Sequence, residues 1–203
     1  MTGRLGFWLA HLFVLAYCGV LLGGFAVQFV TGDLPCPLCI LQRMAMMLVA
    51  FGPLYIIVRT RRGDVRLADY AMGYGMSIVA AVVGAAVAVR QILLHIVPPD
   101  PGYGSPVFGL HLYTWAFITF CVVVVFCGVS LIFARALVPR GVRFGWPSKV
   151  VCGLFLVIVA ANLVVVFLQA GFHWFLPPDP DRYEIFHSLA SWGAGAMSGG
   201  ATE

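Results

Sequence analysis

The chain has 203 residues, of which 62% are hydrophobic and only 10% are charged. Its mean hydropathy of +0.98 is far above that of soluble domains, so the composition predicts an integral membrane protein surrounded by membrane lipid. The net charge of +4 lies in short basic clusters between apolar runs, which is typical of the inside loops of membrane proteins and does not indicate a nucleic-acid partner.

The first apolar run, residues 5–30, is long enough to cross a bilayer as a helix. It is also longer than the hydrophobic segment of a signal peptide, and no clear small-x-small cleavage site ends it, so we predict an uncleaved transmembrane helix. A tight turn follows over residues 31–35. The second predicted helix covers residues 37–58, with a kink at Gly52 and Pro53 because proline interrupts the hydrogen bonding of a helix.

Three further apolar runs predict helices over residues 68–97, over a stretch ending near residue 137, and over residues 150–175. Basic residues cluster after the second and the fourth helix: Arg59, Arg61, Arg62, Arg66, Arg135, Arg140, Arg143 and Lys149. Because loops rich in Arg and Lys stay in the cytoplasm, we predict a cytoplasmic N-terminus, a periplasmic C-terminus and a periplasmic position for the turn over residues 31–35. The expected fold class is an all-α polytopic membrane protein with five transmembrane helices.

Reactive residues gather most closely in residues 34–43, which read LPCPLCILQR. Proline suits the first position of a helix, so Pro37 places Cys36 near the N-cap and Cys39 in the first turn of the second helix. The positive end of a helix and a nearby cation favour the thiolate, and Arg43 supplies the cation one turn after Cys39. We therefore predict a redox-active pair. The remaining cysteines lie within apolar runs and are expected to be small apolar side chains: Cys18, Cys121, Cys127 and Cys152.

Two arginines lie inside apolar runs, where charged side chains are costly and are functional candidates. At about 1.5 Å per residue, Arg43 and Arg90 both lie on the order of 10 Å below the outer surface, which indicates a shared pocket. The opposite halves of the helices are nearly free of hydrogen-bonding side chains, whereas the same outer ends carry Gln28, Gln42, Gln91, His95, His111 and Tyr113. Alternatively, both arginines extend to the lipid headgroups and the other residues form an interfacial belt.

A CxxC motif also occurs in zinc sites. Structural zinc takes four ligands, and no second CxxC or His pair stands at a matching spacing, although His95 and His111 could complete a site in principle. We therefore predict no metal site.

Three motifs in order resemble the disulfide bond formation protein B (DsbB) family over about residues 10 to 135. They are Cys36-Pro37-Leu38-Cys39 with Ile40, Gln42 and Arg43; Arg90-Gln91 before Pro98-Pro99-Asp100; and Gly109-Leu110 before Trp115. The resemblance implies a four-helix bundle in the bacterial inner membrane that acts as an enzyme, a quinone-dependent thiol oxidoreductase. Such a protein oxidises a periplasmic thioredoxin-like (DsbA-like) partner and passes the electrons to a quinone, here ubiquinone or menaquinone.

The same resemblance implies a role for each residue of the site. Cys36 would exchange disulfides with the partner, and Cys39 would face the quinone. Arg43 would hold the quinone ring and stabilise the thiolate. The edge of the quinone pocket would be formed by Arg90, Gln91 and His95.

The chain departs from the family in two places. Well-studied members carry a second cysteine pair in the loop between the third and fourth helices, whereas residues 98–109 contain no cysteine, and Ser105 stands about where one is expected. A fifth helix is also added. We therefore divide the chain into a DsbB-like four-helix membrane domain (1–137), a cytoplasmic loop with the fifth transmembrane helix (138–176) and a periplasmic tail without stable structure (177–203).

Three interpretations stay open. In the first, a partner dithiol attacks the disulfide between Cys36 and Cys39 directly, or the partner brings the relay cysteines itself. In the second, electrons run from a quinol or another membrane donor to an outer disulfide. In the third, the chain is a non-catalytic membrane subunit or scaffold of a larger complex, with a structural CxxC disulfide. We favour the first because an N-cap position on the outer face leaves Cys36 open to in-line attack.

Overall fold

The computed structural model describes residues 2–171, 180 and 182–186, and this part of the chain folds into helices without a named strand. The helices are α1 (Thr2–Thr31), α2 (Pro37–Arg59), α3 (Leu67–Leu94), α4 (Leu112–Ile132), α5 (Ala134–Leu137) and α6 (Trp146–Ala170). All but the short α5 are long and apolar enough to cross a membrane, so five spans are found among the described residues. The prediction of an all-α polytopic membrane protein is confirmed.

The observed helix ends differ from the predicted ones where local capping decides them. α3 ends at Leu94 rather than at residue 97, because His95 takes a non-helical conformation and caps it. α6 begins at Trp146 rather than at residue 150, with a proline in its first turn where proline is favoured. The predicted end of the fifth helix at residue 175 lies outside the described residues, as does the predicted tail 177–203 apart from residues 180 and 182–186.

α2 is the central helix of the bundle. In its most apolar stretch 67% of the residues are buried, against 22–39% in the other four spans, whose remaining faces meet lipid. α3 packs against α2 and α4, while α1 and α6 cover the other side of α2. α6 is joined to α1 by a hydrogen bond between the His11 ring and the Ser148 hydroxyl, 3.0 Å. The fifth span is therefore part of the bundle and not a separate anchor.

α2 and α3 approach each other closely around Pro53. Proline has no N–H, so the carbonyl of Val49 loses its partner within the helix, and the Ser77 hydroxyl of α3 donates to that carbonyl at 2.7 Å. A Cβ atom at Gly52 would overlap with the Gly73 carbonyl oxygen, so only glycine permits this distance. α2 continues through the proline without interruption because α3 satisfies the freed carbonyl.

The helix halves remote from the cysteine pair are more polar than the sequence indicated. Tyr70 and Tyr74 of α3 are fully buried with ring centroids 4.8 Å apart, and Ser130 of α4 is 3% exposed. The expectation that these halves are nearly free of hydrogen-bonding side chains is therefore wrong. In a hydropathy pattern tyrosine counts with the apolar residues because of its ring. When the ring is buried in the bundle, its polar hydroxyl is buried too.

Candidate active site

The CPLC motif opens α2 as predicted. Pro37 occupies the first turn, and Cys36 is the N-cap with an extended backbone (φ −66°, ψ 165°). The Cys36 sulfur accepts a hydrogen bond from the Cys39 backbone N–H at 3.2 Å and lies 2.8 Å from the Cys39 sulfur. The two thiols therefore lie side by side at the positive end of the central helix, where a thiolate is stabilised by the first-turn N–H groups.

Gln91 of α3 is the side chain that contacts both sulfurs. Its Nε2 lies 3.3 Å from the Cys36 sulfur and 3.4 Å from the Cys39 sulfur. Gln42 of α2 donates to Gln91 Oε1 at 2.8 Å. Both glutamines are buried, with exposures of 1% and 4%. The Gln91 oxygen bonds to Gln42 and lies 3.8 Å from the Cys39 sulfur, while the nitrogen is closer to both sulfurs. An N–H donor of this kind is strongest when its acceptor is ionised.

Arg43 is held on α1. Its guanidinium donates to Gln28 Oε1 at 2.8 Å and to the Gly24 carbonyl at 3.0 Å, and its central carbon lies 5.5 Å from the centre of the Phe25 ring. A Cβ at Gly24 would make ordinary contact with the guanidinium, 3.6 Å away. The charge is therefore fixed within the bundle by α1 and is not carried along the lipid surface.

A cavity of about 390 Å³ lies beside Cys39 and Arg43. Its wall is mostly apolar and is formed by α1, α2, α4 and the two loops at this end; its polar lining residues include Gln28, Asp33, Gln42, Tyr103, Ser105 and Tyr113. Val20 and Trp115 also line it, and they are 38% and 37% exposed, so the cavity reaches the lipid-facing surface.

The two cysteines differ in what they can reach. Cys39 lines the cavity, whereas Cys36 does not and is 4% exposed. The expectation that an outer N-cap leaves Cys36 open to attack is therefore wrong for this conformation. The reason is packing from two sides: Gln91 lies against its sulfur, and the preceding Leu34 is itself buried.

The residues predicted for the pocket edge are separated in the structure. Gln91 touches the sulfurs, while the Arg90 side chain is exposed and does not line the cavity. Neighbouring positions on a helix point in different directions, so equal depth does not place both at one site. His95 is also outside the cavity wall: its ring bonds to Asp100 at 2.9 Å and stacks on Tyr113, with centroids 5.8 Å apart. Within the described residues, no three His, Cys, Asp or Glu side chains are grouped so as to hold a metal ion.

Sequence reasoning missed the side chains that hold the segment before Cys36. The Tyr103 hydroxyl donates to the Leu34 carbonyl at 2.6 Å, and Gln169 Nε2 of α6 donates to the Pro35 carbonyl at 2.7 Å. The only signal for Gln169 was a polar side chain in a very apolar helix; nothing in the sequence named its partner.

Asp33 fastens the same segment to the loop between α3 and α4. Its carboxylate accepts the backbone N–H of Ser105 at 3.0 Å, and this bond holds the pKa of Asp33 below its usual value. A hydrogen bond to the carboxylate has this effect because the ionised group is a stronger acceptor than the protonated one. The loop where the family resemblance leads one to expect cysteines is thus tied, through Ser105, to the turn before the CxxC motif.

Comparison with known proteins gives a consistent family. The family model described as disulfide bond formation protein DsbB matches residues 6–105. The disulfide bond formation protein B 1 of Pseudomonas fluorescens is 31% identical over 157 residues, covering 61% of this chain and 89% of the relative. The disulfide bond formation protein B of Neisseria meningitidis is 32% identical over 118 residues, covering 55% of this chain and 69% of the relative.

Other relatives match over a shorter stretch. The disulfide bond formation protein B of Chromohalobacter salexigens is 37% identical over 87 residues, 42% of this chain and 49% of the relative. The chain thus spans about half the length of that relative, and 51% of the one from Azoarcus sp.. No solved structure matches the chain. The extent of the Pseudomonas and Neisseria matches, together with the helices and CxxC motif within the matched family region, shows that the chain belongs to the DsbB family of disulfide bond formation proteins.

Proposed function

We propose that this multi-pass membrane protein is a thiol:quinone oxidoreductase. In this proposal Cys36 and Cys39 oxidise the dithiol of a periplasmic thioredoxin-like (DsbA-like) protein, and the electrons pass to ubiquinone or menaquinone. The observation that carries it is the shared cavity: Cys39 and Arg43 line one apolar space that reaches the lipid-facing surface, and the Cys36 sulfur is 2.8 Å from that of Cys39. Electrons from the cysteine pair could therefore pass through Cys39 to an acceptor in this cavity.

The exchange with the partner is a two-step thiol–disulfide reaction. A partner thiolate attacks the Cys36 sulfur, the bond between Cys36 and Cys39 breaks, and Cys39 leaves as a thiolate while a mixed disulfide forms. The second partner thiol, once deprotonated, attacks the partner sulfur of that mixed disulfide and releases Cys36. The partner loses two electrons and two protons, and the pair gains them.

The residues around Cys39 suit it to be the leaving group. Its thiolate would accept hydrogen bonds from Gln91 Nε2, whose orientation Gln42 fixes, at the positive end of α2. Direct attack on Cys36 requires the partner to displace part of its cover, because this residue is 4% exposed. The segment over residues 33–35 is the part to displace, since it is held from outside by Tyr103 and Ser105.

The cavity fits a quinone by its chemistry. It is mostly apolar, and Arg43 is the only Arg or Lys among the described residues that line it. Arg43 and Gln42 would hold the polar ring, and the apolar wall would hold the tail. When bound, a quinone supplies a two-electron, two-proton acceptor, which restores the disulfide. Arg43 would stabilise negative charge in the cavity, and α1 holds it in place through Gln28 and Gly24.

The test uses the purified full-length protein in detergent. With Cys36 and Cys39 reduced, addition of a short-chain ubiquinone or menaquinone should oxidise the pair, as shown by loss of thiol alkylation and formation of one quinol per disulfide. Cys39→Ser should trap a mixed disulfide between Cys36 and the partner, and Cys36→Ser should trap none. A pair that no quinone oxidises and that exchanges with no thioredoxin-like protein would overturn the proposal in favour of a structural disulfide.

A further inference from the structure

The fifth membrane helix lies outside the stretch that matches the family model, yet it reaches the candidate redox site. We propose that α6 and residues 182–186 are a positioning element of that site: Gln169 positions Cys36 through the Pro35 carbonyl, and Tyr183 positions Arg43 through Gln28. This inference rests on the proposed function. Its first part, the effect of Gln169 on Cys36, is however tested without any quinone.

Gln169 is placed to serve the segment before Cys36. It is completely buried, and its Nε2 donates to the Pro35 carbonyl at 2.7 Å. The neighbouring Leu34 carbonyl accepts from Tyr103 at 2.6 Å, so two successive carbonyls are held by side chains from different elements. Leu34 and Pro35 are buried and precede the helix, and a buried carbonyl without a partner is unfavourable. Gln169 supplies that partner.

Holding the Pro35 carbonyl fixes the Cys36 sulfur, because only the backbone of Cys36 separates them. Cys36 is the N-cap, so its own N–H and the preceding peptide are outside the helical hydrogen bonding that orders Cys39. A disulfide needs both sulfurs in one narrow geometry. Gln169 therefore acts on the ease with which the pair forms a disulfide, although it touches neither sulfur.

The residues after α6 reach the other end of the site. The chain turns at Gly171 (φ +58°), and Ile185 is buried with its backbone nitrogen 3.2 Å from where a Cβ at Gly171 would lie. The Tyr183 hydroxyl accepts from Gln28 Nε2 at 3.3 Å, while Gln28 Oε1 accepts from Arg43. The guanidinium can only donate, so it faces the Gln28 oxygen, and the Gln28 nitrogen is then left to bond to Tyr183.

If α6 had only a structural role, loss of any of its buried amides would affect the redox pair equally. The helix contains a matched control for this comparison. Asn162 is also a buried amide, 2% exposed, but it donates to the Ile158 carbonyl of its own helix at 2.9 Å. Asn162→Leu and Gln169→Met each replace a buried amide of α6 with an apolar group of similar shape. Only the second removes a contact with the site.

The first experiment measures the equilibrium between the Cys36–Cys39 dithiol and disulfide in dithiothreitol buffers, by alkylation of the purified full-length protein without quinone. Gln169→Met should lower the equilibrium constant for disulfide formation about tenfold, which is about 30 mV toward easier reduction. Asn162→Leu should leave it unchanged. Should Gln169→Met not fold, Gln169→Asn, which keeps the donor on a shorter side chain, should show a smaller shift in the same direction. An unchanged constant, or an equal change in Asn162→Leu, overturns the inference.

The second experiment measures binding of a short-chain ubiquinone to the purified protein by equilibrium dialysis. Tyr183→Phe removes the hydroxyl acceptor and should weaken binding about threefold to tenfold, without moving the dithiol equilibrium. Tyr55→Phe is the control, because the Tyr55 hydroxyl bonds to Asp69 at the remote end of the bundle. Unchanged binding in Tyr183→Phe overturns this arm. If the unmodified protein binds no quinone, the proposed acceptor fails, while the Gln169 result is still decided by the first experiment.

Discussion

Gln42 donates a hydrogen bond to the Oε1 atom of Gln91 at 2.8 Å, and the nitrogen of Gln91 lies 3.3 Å and 3.4 Å from the two cysteine sulfurs. Gln42 belongs to α2 and Gln91 to α3, so the same bond joins the two helices at the level of the redox pair. A buried donor is thus kept beside the sulfurs by a second buried amide. The site gains a fixed dipole where a thiolate forms.

The first prediction concerns this donor. Gln91→Met keeps the approximate shape of the side chain but removes its N–H groups, so a thiolate on Cys39 loses a charge-assisted hydrogen bond. In a Cys36→Ser background we expect alkylation of Cys39 by iodoacetamide near neutral pH to slow about tenfold. Gln42→Met should slow it less, because Gln91 keeps its donor and loses only its fixed orientation. Equal rates in all three proteins would show that the amide does not act on the thiolate.

The second prediction separates the two arginines for which the sequence predicts the same depth in the membrane. Arg43 lines the cavity and is anchored on α1, whereas the Arg90 side chain is exposed and absent from the cavity wall. Arg43→Met should weaken binding of a short-chain ubiquinone about tenfold or more, since it removes the cation of the wall. Arg90→Met should change it less than about twofold, within the range of a surface substitution. Equilibrium dialysis measures both, and equal losses would mean that both arginines act on the ligand.

The parts of the site that the sequence predicted are those set by local rules. Pro37 fixes the start of α2, and from that start the positions of Cys36 and Cys39 follow within one turn. Which neighbour faces the pair, Arg90 or Gln91, depends on the rotation of α3 against α2. That rotation depends on contacts all along the two helices, and one of them, the close approach of Gly52 and Gly73, lies far along the helix from the pair. The residue pattern within one helix does not predict how that helix is rotated against its neighbour.

Partners that are distant in the chain were unpredictable for the same reason. Gln169 contacts Pro35, which lies 134 positions earlier, and a single sequence contains no signal that joins them. The bond from Tyr103 to the Leu34 carbonyl could not be predicted either, because the sequence indicated only a loop between two helices at Tyr103. The number and length of the spans could be predicted because each depends on its own run of apolar residues.

The third prediction concerns pH. Asp33 has a pKa below its usual value because its carboxylate accepts the Ser105 backbone N–H. A lowered pKa means that the contact stabilises the fold fully above the unfolded-state pKa of about 4 and is lost as pH falls through the lower folded-state value. Hydrogen-exchange protection of the Ser105 amide should therefore be constant from about pH 5 to pH 8 and fall only in stronger acid.

Substitution of the two loop carboxylates checks that assignment. Asp33→Asn should reduce protection of Ser105 across the whole pH range, because a neutral amide is a weaker acceptor. Asp100→Asn is the matched change: Asp100 accepts the Gly102 N–H at 2.8 Å, so it should alter protection at Gly102 and leave Ser105 as it was. Loss of protection at Ser105 in both proteins would mean that the loop unfolds as a unit.

The fourth prediction tests the close approach of α2 and α3. A Cβ at Gly52 would overlap with the Gly73 carbonyl and the Ser77 hydroxyl, so Gly52→Ala must push the helices apart and weaken the bond from Ser77 to the Val49 carbonyl. We expect a loss of about 1–3 kcal/mol, the usual result of overpacking, seen as a lower thermal midpoint in detergent. Gly75→Ala is the control, because a Cβ there meets nothing within 4 Å. That change should be neutral or slightly stabilising, since alanine favours a helix over glycine. If Gly52→Ala is as stable as Gly75→Ala, the two helices do not approach each other closely at Gly52.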